Sequence, residues 1–558
     1  MFSSFLSLLF IISGVLGTSK DCKCFPGDAC WPSEREWSAF NVTVGGRLVK
    51  TVPIGSPCHD PNYDEAACKQ VQQQFGFTPI HIASSSSVQD PIFANASCDP
   101  FTPRSTPCLL GNYVRYAVNV TGSTDVAATL KFAQQKNIRL VIRNTAHDYV
   151  GRSTGAGSLA IWTHYLRSTQ VQDWCDDEYC GKALKMGAGT MGSDAYLAAS
   201  AKNLTIVTGE CPSVGIAGGY TQSGGHSPLS SAFGLGADNT LAFEVVTADG
   251  RLVTASRTSA QYSDLFWALS GSGAGNYGVV ISMTVRAHPE AITSGANFTI
   301  ADPRLNYSAI HRAWHAALPA IVDSGIQVTY YTTANILGAL TITGYNRTQS
   351  DLQRALRPFI QSVALMNYTV TPDYAQFASY SEYYLHTYGP LNSGPFGTAG
   401  EWLMGGRLLL RQHLPTIGPM LDNVHRLGVA QIGQALNVQR FAAPSVRAVL
   451  PQWRDTVVMS SYVLPWSFEP PFANMTAAQD LLTHTVMPLV EAATPGAGAY
   501  INEADFQDPN WQHNFFGANY PCLARVKTKY DAAGLFWNAI AVGSEAWATQ
   551  SDGRLCRA

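Results

Sequence analysis

Glycine is unusually dense between Gly209 and Gly236, and this limits the structures that the segment can adopt. A backbone without Cβ atoms can lie directly against a flat ligand. We therefore expect the segment to line a binding site for a planar molecule. Cys211 lies in the same segment, and a disulfide is the alternative role for it. The candidate ligand contacts here are Gly215, Gly218, Gly219, Gly225 and His226, of which His226 is equally suited to fixing the loop.

A second segment has a buried strand that runs into a loop of small and polar residues. The strand ends at Val141, Ile142 and Arg143, and the loop continues to Gly155. Such a loop can turn successive backbone N–H groups toward a bound anion, here a pyrophosphate. An ordinary Gly/Ser turn with one hydrogen-bonded histidine is the alternative. The candidate contacts of this loop are Arg143, Asn144, Thr145, Ala146, His147, Asp148, Gly151 and Ser153.

The length of 558 residues is too great for one ordinary core, so we expect several structural units. Residues 20–106 are rich in Pro, Ser and Cys and indicate a loop-rich segment joined by disulfides. Residues 107–290 alternate short strands with helices, for example at 125–136 and 263–269, and have a hairpin turn at 248–251. Residues 291–490 fit an antiparallel sheet covered by helices. Residues 491–558 are again rich in glycine and aromatic residues, like residues 107–290. The expected fold class is α+β.

The net charge is −3, and the sequence has no long run of lysine and arginine. We therefore expect no nucleic-acid partner and no stable membrane association. No Cys/His spacing in the sequence indicates a metal site, so we expect none. We also expect the protein to be a monomer.

Three features indicate a secreted, N-glycosylated protein. Residues 1–19 have an apolar run followed by small residues, which is typical of a signal peptide, although the expected Lys or Arg is absent and a signal anchor is the alternative. The twelve cysteines are clustered as expected for disulfides in an oxidising compartment; Cys211 apart, the remaining number is odd, so one more stays outside any internal disulfide. Sequons occur at Asn41, Asn95, Asn119, Asn203, Asn297, Asn306, Asn346, Asn367 and Asn474.

Together the two ligand-binding segments resemble the vanillyl-alcohol-oxidase (PCMH-type) superfamily, in particular the secreted fungal members of its berberine-bridge-enzyme-like branch. The family's loop R-x-x-G-H-x-x-x-G-x-S is matched by Arg143, His147, Gly151 and Ser153, with Ala146 in place of glycine. The family's G-x-C-P-x-V-G element is matched around Cys211. The resemblance covers about 107–290 and resumes at 499–547, where Tyr500, Asn502 and Glu503 fit a Y-x-N-E element.

This resemblance implies a bound FAD, held covalently and in the doubly linked manner. It implies that His147 bonds to the flavin 8α-methyl carbon and that Cys211 bonds to flavin C6. It also implies a two-part FAD-binding domain at 107–290, a substrate domain at 291–490 and a C-terminal segment at 491–558 that completes the FAD site. Further cofactor contacts expected from the resemblance are Gly278, Val280 and Asn502.

Residues 273–278 match the dinucleotide fingerprint G-x-G-x-x-G, but the context is wrong for that function. The fingerprint binds pyrophosphate where a strand precedes it and a helix follows it. Here a helix precedes the motif and the strand 279–285 follows it. We therefore do not expect a nicotinamide-binding domain.

The function implied by the resemblance is oxidation of a CH–OH or CH–NH centre by hydride transfer to flavin N5. Oxygen would be the electron acceptor and H₂O₂ the product. Because the chain is rich in aromatic residues and lacks an evident charged clamp, we expect a small, largely apolar metabolite as substrate. Tyr500 and Glu503 are the candidate bases, while Tyr330, Tyr331 and Tyr462 are candidates for core or pocket wall.

Three alternatives remain open from the sequence. The protein is a secreted carbohydrate oxidase, or a flavin-containing isomerase or cyclase that transfers a proton without net redox, or a flavin-binding protein without activity. The strand glutamate that serves as base in berberine bridge enzyme is not found, so its ring closure is not carried over.

Overall fold

The computed structural model describes residues 22–94, 97–389, 402–441, 446–467 and 471–558. The expected signal peptide at 1–19 and the sequon at Asn95 lie outside these residues. Within the described part of the chain no helix is long and apolar enough to cross a membrane.

The strands of the described residues, numbered in chain order, belong to five sheets. They are β1 (Leu48–Lys50), β2 (Tyr116–Asn119), β3 (Leu140–Arg143), β4 (Leu159–Trp162), β5 (Thr169–Cys175), β6 (Cys180–Gly187), β7 (Leu204–Thr205), β8 (Thr240–Val246), β9 (Leu252–Ser256), β10 (Val279–Arg286), β11 (His288–Pro289), β12 (Thr293–Ile300), β13 (Gln327–Thr333), β14 (Ile336–Tyr345), β15 (Asp373–Phe377), β16 (Trp402–Leu410), β17 (Ala430–Ala435), β18 (Thr456–Pro465), β19 (Trp547–Thr549) and β20 (Leu555–Arg557).

The α-helices of the described residues lie between and after these strands. They are α1 (Glu34–Thr43), α2 (Glu65–Gln74), α3 (Thr78–Ile82), α4 (Ser123–Gln135), α5 (Gly192–Ser200), α6 (Ser230–Phe233), α7 (Ser263–Leu269), α8 (Tyr307–Asp323), α9 (Gln349–Ala364), α10 (Tyr380–Tyr388), α11 (Gly418–Arg426), α12 (Phe472–Leu481), α13 (Met487–Ala493), α14 (Trp511–Phe516) and α15 (Tyr520–Tyr530).

The first sheet positions the histidine loop. Its order is β1-β2-β4-β3, with β2, β4 and β3 parallel and β1 antiparallel to β2. The predicted strand at 139–143 is β3, and the predicted helix at 125–136 is α4, which packs its Val126 and Leu130 against this sheet. The loop after residue 143 therefore leaves the carboxyl end of a parallel strand.

The second sheet has the order β5-β6-β10-β8-β9 and is antiparallel throughout. The predicted hairpin is confirmed, since β8 and β9 pair across the turn at 248–251. Helix α7 precedes the glycine motif and β10 follows it, as the sequence indicates. Gly273 and Gly275 there have φ of +93° and +75°, so they form turns, and no helix begins at the motif.

The third sheet is antiparallel, with the order β15-β12-β14-β13-β17-β18-β16. Helices α8, α9, α11 and α13 cover one face and form a large apolar core with it. The amphipathic sequence at 351–363 and 415–427 predicts two of these helices. The first is α9, and the second is α11, which begins only at Gly418. Tyr330 and Tyr462 point into this core, so they are not pocket walls. Because side chains alternate along a strand, their neighbours Thr329 and Ser461 face the other way.

The C-terminal segment packs back onto the first two sheets, as expected. The Cys22–Cys556 disulfide joins the two ends of the described chain. In α15, Lys527 donates hydrogen bonds from Nζ to the backbone oxygens of Asn276 (2.7 Å) and Phe536. Leu535 and Phe536 are buried in the same core as α4.

The remaining disulfides lie mostly in the N-terminal segment, which is less loop-rich than the sequence suggests because it contains α1, α2 and α3. The pairs are Cys24–Cys30, Cys58–Cys68, Cys98–Cys108 and Cys175–Cys180. In the described part of the chain Cys211 and Cys522 form no disulfide. The odd cysteine expected from the sequence is therefore Cys522.

Candidate active site

A cavity of about 500 Å³ lies where the three sheets and the C-terminal segment meet. The loop after β3 forms one wall, the glycine-rich segment another and the turn at 500–503 a third. The fourth wall is the face of the third sheet that the helices do not cover. Residues from Ile142 to Asn538 thus contribute to one site.

Most of the residues predicted from the sequence line this cavity. They are Arg143, Asn144, Thr145, Ala146, His147, Asp148, Ser153, Cys211, Gly215, Gly218, Gly219, His226, Gly278, Val280, Tyr500, Asn502 and Glu503. Gly151 and Gly225 do not line it. Both have positive φ, +72° and +73°, and a Cβ atom there would collide with Phe93 and Tyr220, respectively. These two glycines allow the turns of the two loops, and neighbouring residues line the cavity.

Ala146 occupies a glycine-like conformation. Its φ is +60°, in the left-handed region, and its side chain is buried. A residue with a Cβ atom adopts this conformation at a cost of about 1–2 kcal/mol. Glycine, which the family motif has at this position, adopts a positive φ without this cost, whereas the alanine here adopts it under strain.

His147 and Cys211 approach the same residue from two loops. Nε2 of His147 lies 2.8 Å from Oγ of Ser213, and Sγ of Cys211 lies 3.7 Å from the same oxygen. Burial lowers the pKa of His147 to about 4, so its imidazole is neutral at physiological pH. Burial raises the pKa of the Cys211 thiol, against the opposing effect of its hydrogen bonds with Ser213.

Two of the predicted contacts use their polar groups to hold the histidine loop. The guanidinium of Arg143 donates to the backbone oxygens of Ser84 and Ser87, at 3.2 and 2.6 Å. The carboxylate of Asp148 accepts from the backbone N–H and the hydroxyl of Ser153, at 2.6 and 2.8 Å. Their side chains line the cavity, but their hydrogen bonds fix the backbone around His147.

His226 and Glu503 form a pair within the cavity. Nε2 of His226 lies 2.8 Å from Oε1 of Glu503, and the hydroxyl of Ser461 donates to Oε2 at 3.2 Å. Burial alone would lower the pKa of His226, but the charges of Glu503 and Glu210 outweigh burial and raise it. The site therefore contains a carboxyl group and an imidazole within hydrogen-bonding distance of each other.

Tyr500 packs beside this pair. Its ring meets His226 edge-on at 5.4 Å, and its hydroxyl accepts a hydrogen bond from the Asn502 amide at 2.7 Å. Burial, together with the nearby Glu503 charge, raises the pKa of Tyr500 well above its usual range. The same Asn502 amide donates to the backbone oxygen of Gly219 at 2.8 Å, which joins the C-terminal turn to the glycine-rich segment.

Several residues that line the cavity were not predicted from the sequence. Arg152 lies inside the histidine motif and Glu210 directly precedes Cys211, so their position beside motif residues is a signal that could have found them. The sheet wall had no such signal, because it depends on which face of each strand is covered. Its members are Thr329, Leu340, Trp402, Met404, Ile432, Gln434 and Ser461.

The cavity has groups that suit FAD. A Cβ atom on Gly218 would meet nothing within 4 Å, so the backbone there is open to a flat ring. Among the described residues the side-chain oxygens of Asn144 and Gln222, and Nε of Arg152, are buried without a hydrogen-bond partner. Burial lowers the pKa of Arg152 only to about 10, so this cation persists for a diphosphate. FAD offers donors for the two oxygens and anionic oxygens for the arginine.

Two segments of the chain match known family models. Residues 114–256 match the FAD binding domain, and residues 499–543 match the family described as berberine and berberine like. The first match includes both His147 and Cys211, and the second includes the turn that carries Tyr500 and Glu503.

The chain is also similar to known proteins over nearly its full length. It is 46% identical over 546 residues to the FAD-linked oxidoreductase ZEB1 of Gibberella zeae, covering 97% of this chain and 96% of that protein. It is 38% identical over 580 residues to the bifunctional decalin synthase calF of Penicillium decumbens, covering both chains fully (100%). The crystal structure of the VAO-type flavoprotein MtVAO615 from Myceliophthora thermophila C1 superposes with a TM-score of 0.92 at 38% identity, covering 96% of this chain and 100% of that one.

Proposed function

The chain belongs to the FAD-linked oxidoreductases of the vanillyl-alcohol-oxidase type, and we propose that it oxidises a CH–OH or CH–NH centre of a small, largely apolar metabolite. The observation that carries this proposal is the His226–Glu503 pair, which faces the same cavity as His147 and Cys211. A proton acceptor and two attachment points for the cofactor therefore share one space.

We propose that His147 and Cys211 hold FAD covalently, through the flavin 8α carbon and C6. The neutral imidazole of His147 has a lone pair available for bond formation, and Ser213 lies beside both attachment points. Arg152 would balance the diphosphate, and the open backbone at Gly218 would lie against the ring system. FAD bound here would supply a hydride acceptor at N5, with O₂ taking up the electrons to yield H₂O₂.

Glu503 is the base that we propose for the substrate hydroxyl or amine. Its carboxylate faces the cavity and is oriented by His226 and Ser461, so it can receive a proton while the imidazole shares the charge. Tyr500 is less suited to this role, since burial raises its pKa and keeps the phenol protonated. We assign Tyr500 and Asn502 to positioning the turn.

The wall provided by the third sheet favours an apolar substrate. Leu340, Trp402, Met404 and Ile432 form an apolar surface on this wall, and Leu340 is 46% exposed. Burying an apolar body there is worth about 25 cal/mol per Å² of surface removed from water. The polar groups of the cavity would then orient the end of the substrate that reacts.

The test is a turnover assay of the purified holoenzyme. We expect H₂O₂ release, matched by O₂ consumption, with apolar primary and secondary alcohols or amines in a panel that also contains mono- and oligosaccharides. Turnover confined to saccharides would replace the metabolite proposal with the carbohydrate-oxidase alternative. Absence of any flavin reduction by any panel member would contradict the oxidase proposal.

A second candidate is cyclisation or isomerisation by proton transfer without net redox. The observation that favours it is the similarity to a protein named bifunctional decalin synthase. Anaerobic mixing separates the two reactions. Oxidation bleaches the flavin absorbance as substrate is consumed, whereas an isomerase or cyclase forms product while the flavin stays oxidised.

We also propose that the protein is secreted, N-glycosylated and monomeric, with domain boundaries at 107–290, 291–490 and 491–558. The disulfides support passage through an oxidising compartment, and the sequon residues Asn203, Asn346 and Asn367 are exposed. Expression in a fungal host tests this. We expect the protein in the medium, without residues 1–19, with a mass that falls on glycosidase treatment and with the elution volume of a monomer.

A further inference from the structure

Glu210 and Gln434 form a polar cluster in the cavity, on the sheet wall apart from the His226–Glu503 pair. Glu210 is only 7% exposed, and the hydroxyl of Thr329 donates a hydrogen bond to its Oε1. Gln434 also hydrogen-bonds to Glu210. All three residues line the cavity, and the oxidation as proposed above uses none of them.

The strand register explains why two sheet residues meet one carboxyl. Thr329 of β13 and Gln434 of β17 are direct partners across an antiparallel pair, so their side chains lie side by side on the same face. Gly433 lies next to Gln434 on β17 and faces the helices. Because it has no side chain, it leaves room for the ring of Tyr330. The cluster is thus built into the sheet and does not depend on a loop.

One atom of this cluster lacks a partner. The side-chain oxygen of Gln434 is buried, and among the described residues nothing donates a hydrogen bond to it. An unpaired buried acceptor is unfavourable, so a ligand that supplies the donor is bound more tightly. Burial also raises the pKa of Glu210, against the effect of its hydrogen bonds with Thr329 and Gln434.

A hydroxyl group suits the unpaired Gln434 oxygen, because its O–H can donate a hydrogen bond to it. A carbonyl or ether oxygen has no donor and would leave this oxygen unpaired.

The position of this cluster relative to Glu503 follows from the same sheet. Ser461 of β18 hydrogen-bonds to Glu503 and is the direct partner of Ile432 of β17. Gln434 lies two residues beyond Ile432 on β17, so its side chain is on the same face. Such diagonal neighbours are roughly 7–8 Å apart. The cavity thus has two polar groups on one wall, the Ser461–Glu503 contact and the Glu210–Gln434 cluster.

We propose that Glu210 and Gln434 form a second polar subsite that binds a hydroxyl group of the substrate, separate from the group that faces Glu503. This inference rests on the proposed oxidation of a small metabolite, and it narrows the substrate class to molecules with two oxygen functions at opposite ends of a short apolar body. Discrimination against a mono-alcohol then arises because Gln434 would be left unpaired.

The test compares two probes that differ in one hydroxyl, para-xylylene glycol and para-methylbenzyl alcohol. Isothermal titration calorimetry is carried out anaerobically on holoenzyme whose flavin has been reduced with dithionite, so that neither alcohol can be oxidised. We expect the wild-type protein to bind the glycol at least about tenfold more tightly. Because binding is measured without turnover, failure of the oxidase proposal would not affect this result.

Three variants complete the experiment, each checked for flavin content by absorbance. Gln434→Leu should reduce the preference for the glycol to within about twofold. Glu210→Gln keeps the size of the side chain and an acceptor oxygen and should keep the preference. Ile342→Val, a change on the helix-covered side of the same sheet, should leave it unaltered. Equal affinity of the wild type for both alcohols, no binding of the glycol, or a preference that survives Gln434→Leu would overturn the proposal.

Discussion

Nε2 of His226 lies 2.8 Å from Oε1 of Glu503, although 277 positions separate them in the chain. The histidine comes from the glycine-rich segment and the glutamate from the returning C-terminal turn. The contact therefore joins two parts of the chain across the cavity that His147 and Cys211 also line. Formation of this acid–base pair requires that the C-terminal segment be docked.

Replacing Glu503 with glutamine should slow flavin reduction by substrate about 10²–10⁴-fold, the usual contribution of a general base. The amide keeps the size of the side chain but cannot take up the substrate proton. Rapid-mixing absorbance under anaerobic conditions measures the rate. Ser461→Ala, which removes only one hydrogen bond to the same carboxylate, is the matched control and should have a much smaller effect. A Glu503→Gln rate within a factor of three of wild type would show that the base is elsewhere.

The rate of flavin reduction should rise with pH, with an apparent pKa above 6.5. The pKa of His226 is raised because Glu503 and Glu210 outweigh its burial, and Tyr500, the other titratable group that packs against it, stays protonated. Below this pKa the His226–Glu503 pair is protonated and accepts the substrate proton less readily. The rate is measured from pH 5 to pH 9, and His226→Gln should remove this rising limb. A profile that is flat in the wild type, or unchanged in the variant, contradicts the assignment.

Ala146→Gly should stabilise the protein, since φ is +60° at this position. Glycine relieves the strain of about 1–2 kcal/mol, and its greater freedom in the unfolded chain offsets part of that gain. We expect a net increase of up to about 1 kcal/mol, measured as an upward shift in thermal unfolding. Ala128→Gly in helix α4 is the same change at a helical position and should lower the unfolding temperature. A loss of stability in Ala146→Gly would contradict the strain.

Stability should fall as pH is lowered from about 6.5 toward 4. Burial lowers the pKa of His81 and His315 to about 4 and that of His425 to about 3, compared with 6.5 for exposed histidine. Between these values the unfolded chain binds more protons than the folded protein, so acid favours unfolding by about 1.4 kcal/mol per pH unit for each group. Thermal unfolding across this range tests it, and His425→Gln should reduce the slope. An unfolding temperature that is constant from pH 7 to pH 4 would exclude the effect.

The cofactor loops could be predicted from the sequence because their chemistry is local. The strand before Asn144, the glycines around Gly218 and the attachment residues His147 and Cys211 all lie within short, recognisable segments. The strand and helix bounds in the first two sheets were also close to those expected, because apolar periodicity fixes them. Domain boundaries and the covalent bonds stay predictions.

The substrate wall could not be predicted, because it depends on long-range pairing. Which of Thr329 and Tyr330 faces the cavity is set by which face of the sheet the helices cover, and a shift of one residue exchanges them. The sequence therefore left core and pocket wall open for Tyr330 and Tyr462, and both lie in the helix-covered core. The neighbours of Glu210 depend on the same pairing, so its role was not foreseen.

The central proposal is the attachment of FAD to both His147 and Cys211. Intact-mass spectrometry of the deglycosylated protein under denaturing conditions tests it. We predict that the wild-type chain, and each of the single variants His147→Ala and Cys211→Ala, retains the mass of one FAD, and that the double variant loses it. A wild-type mass without FAD, or complete loss of FAD in the Cys211→Ala variant with His147 intact, would contradict the double linkage.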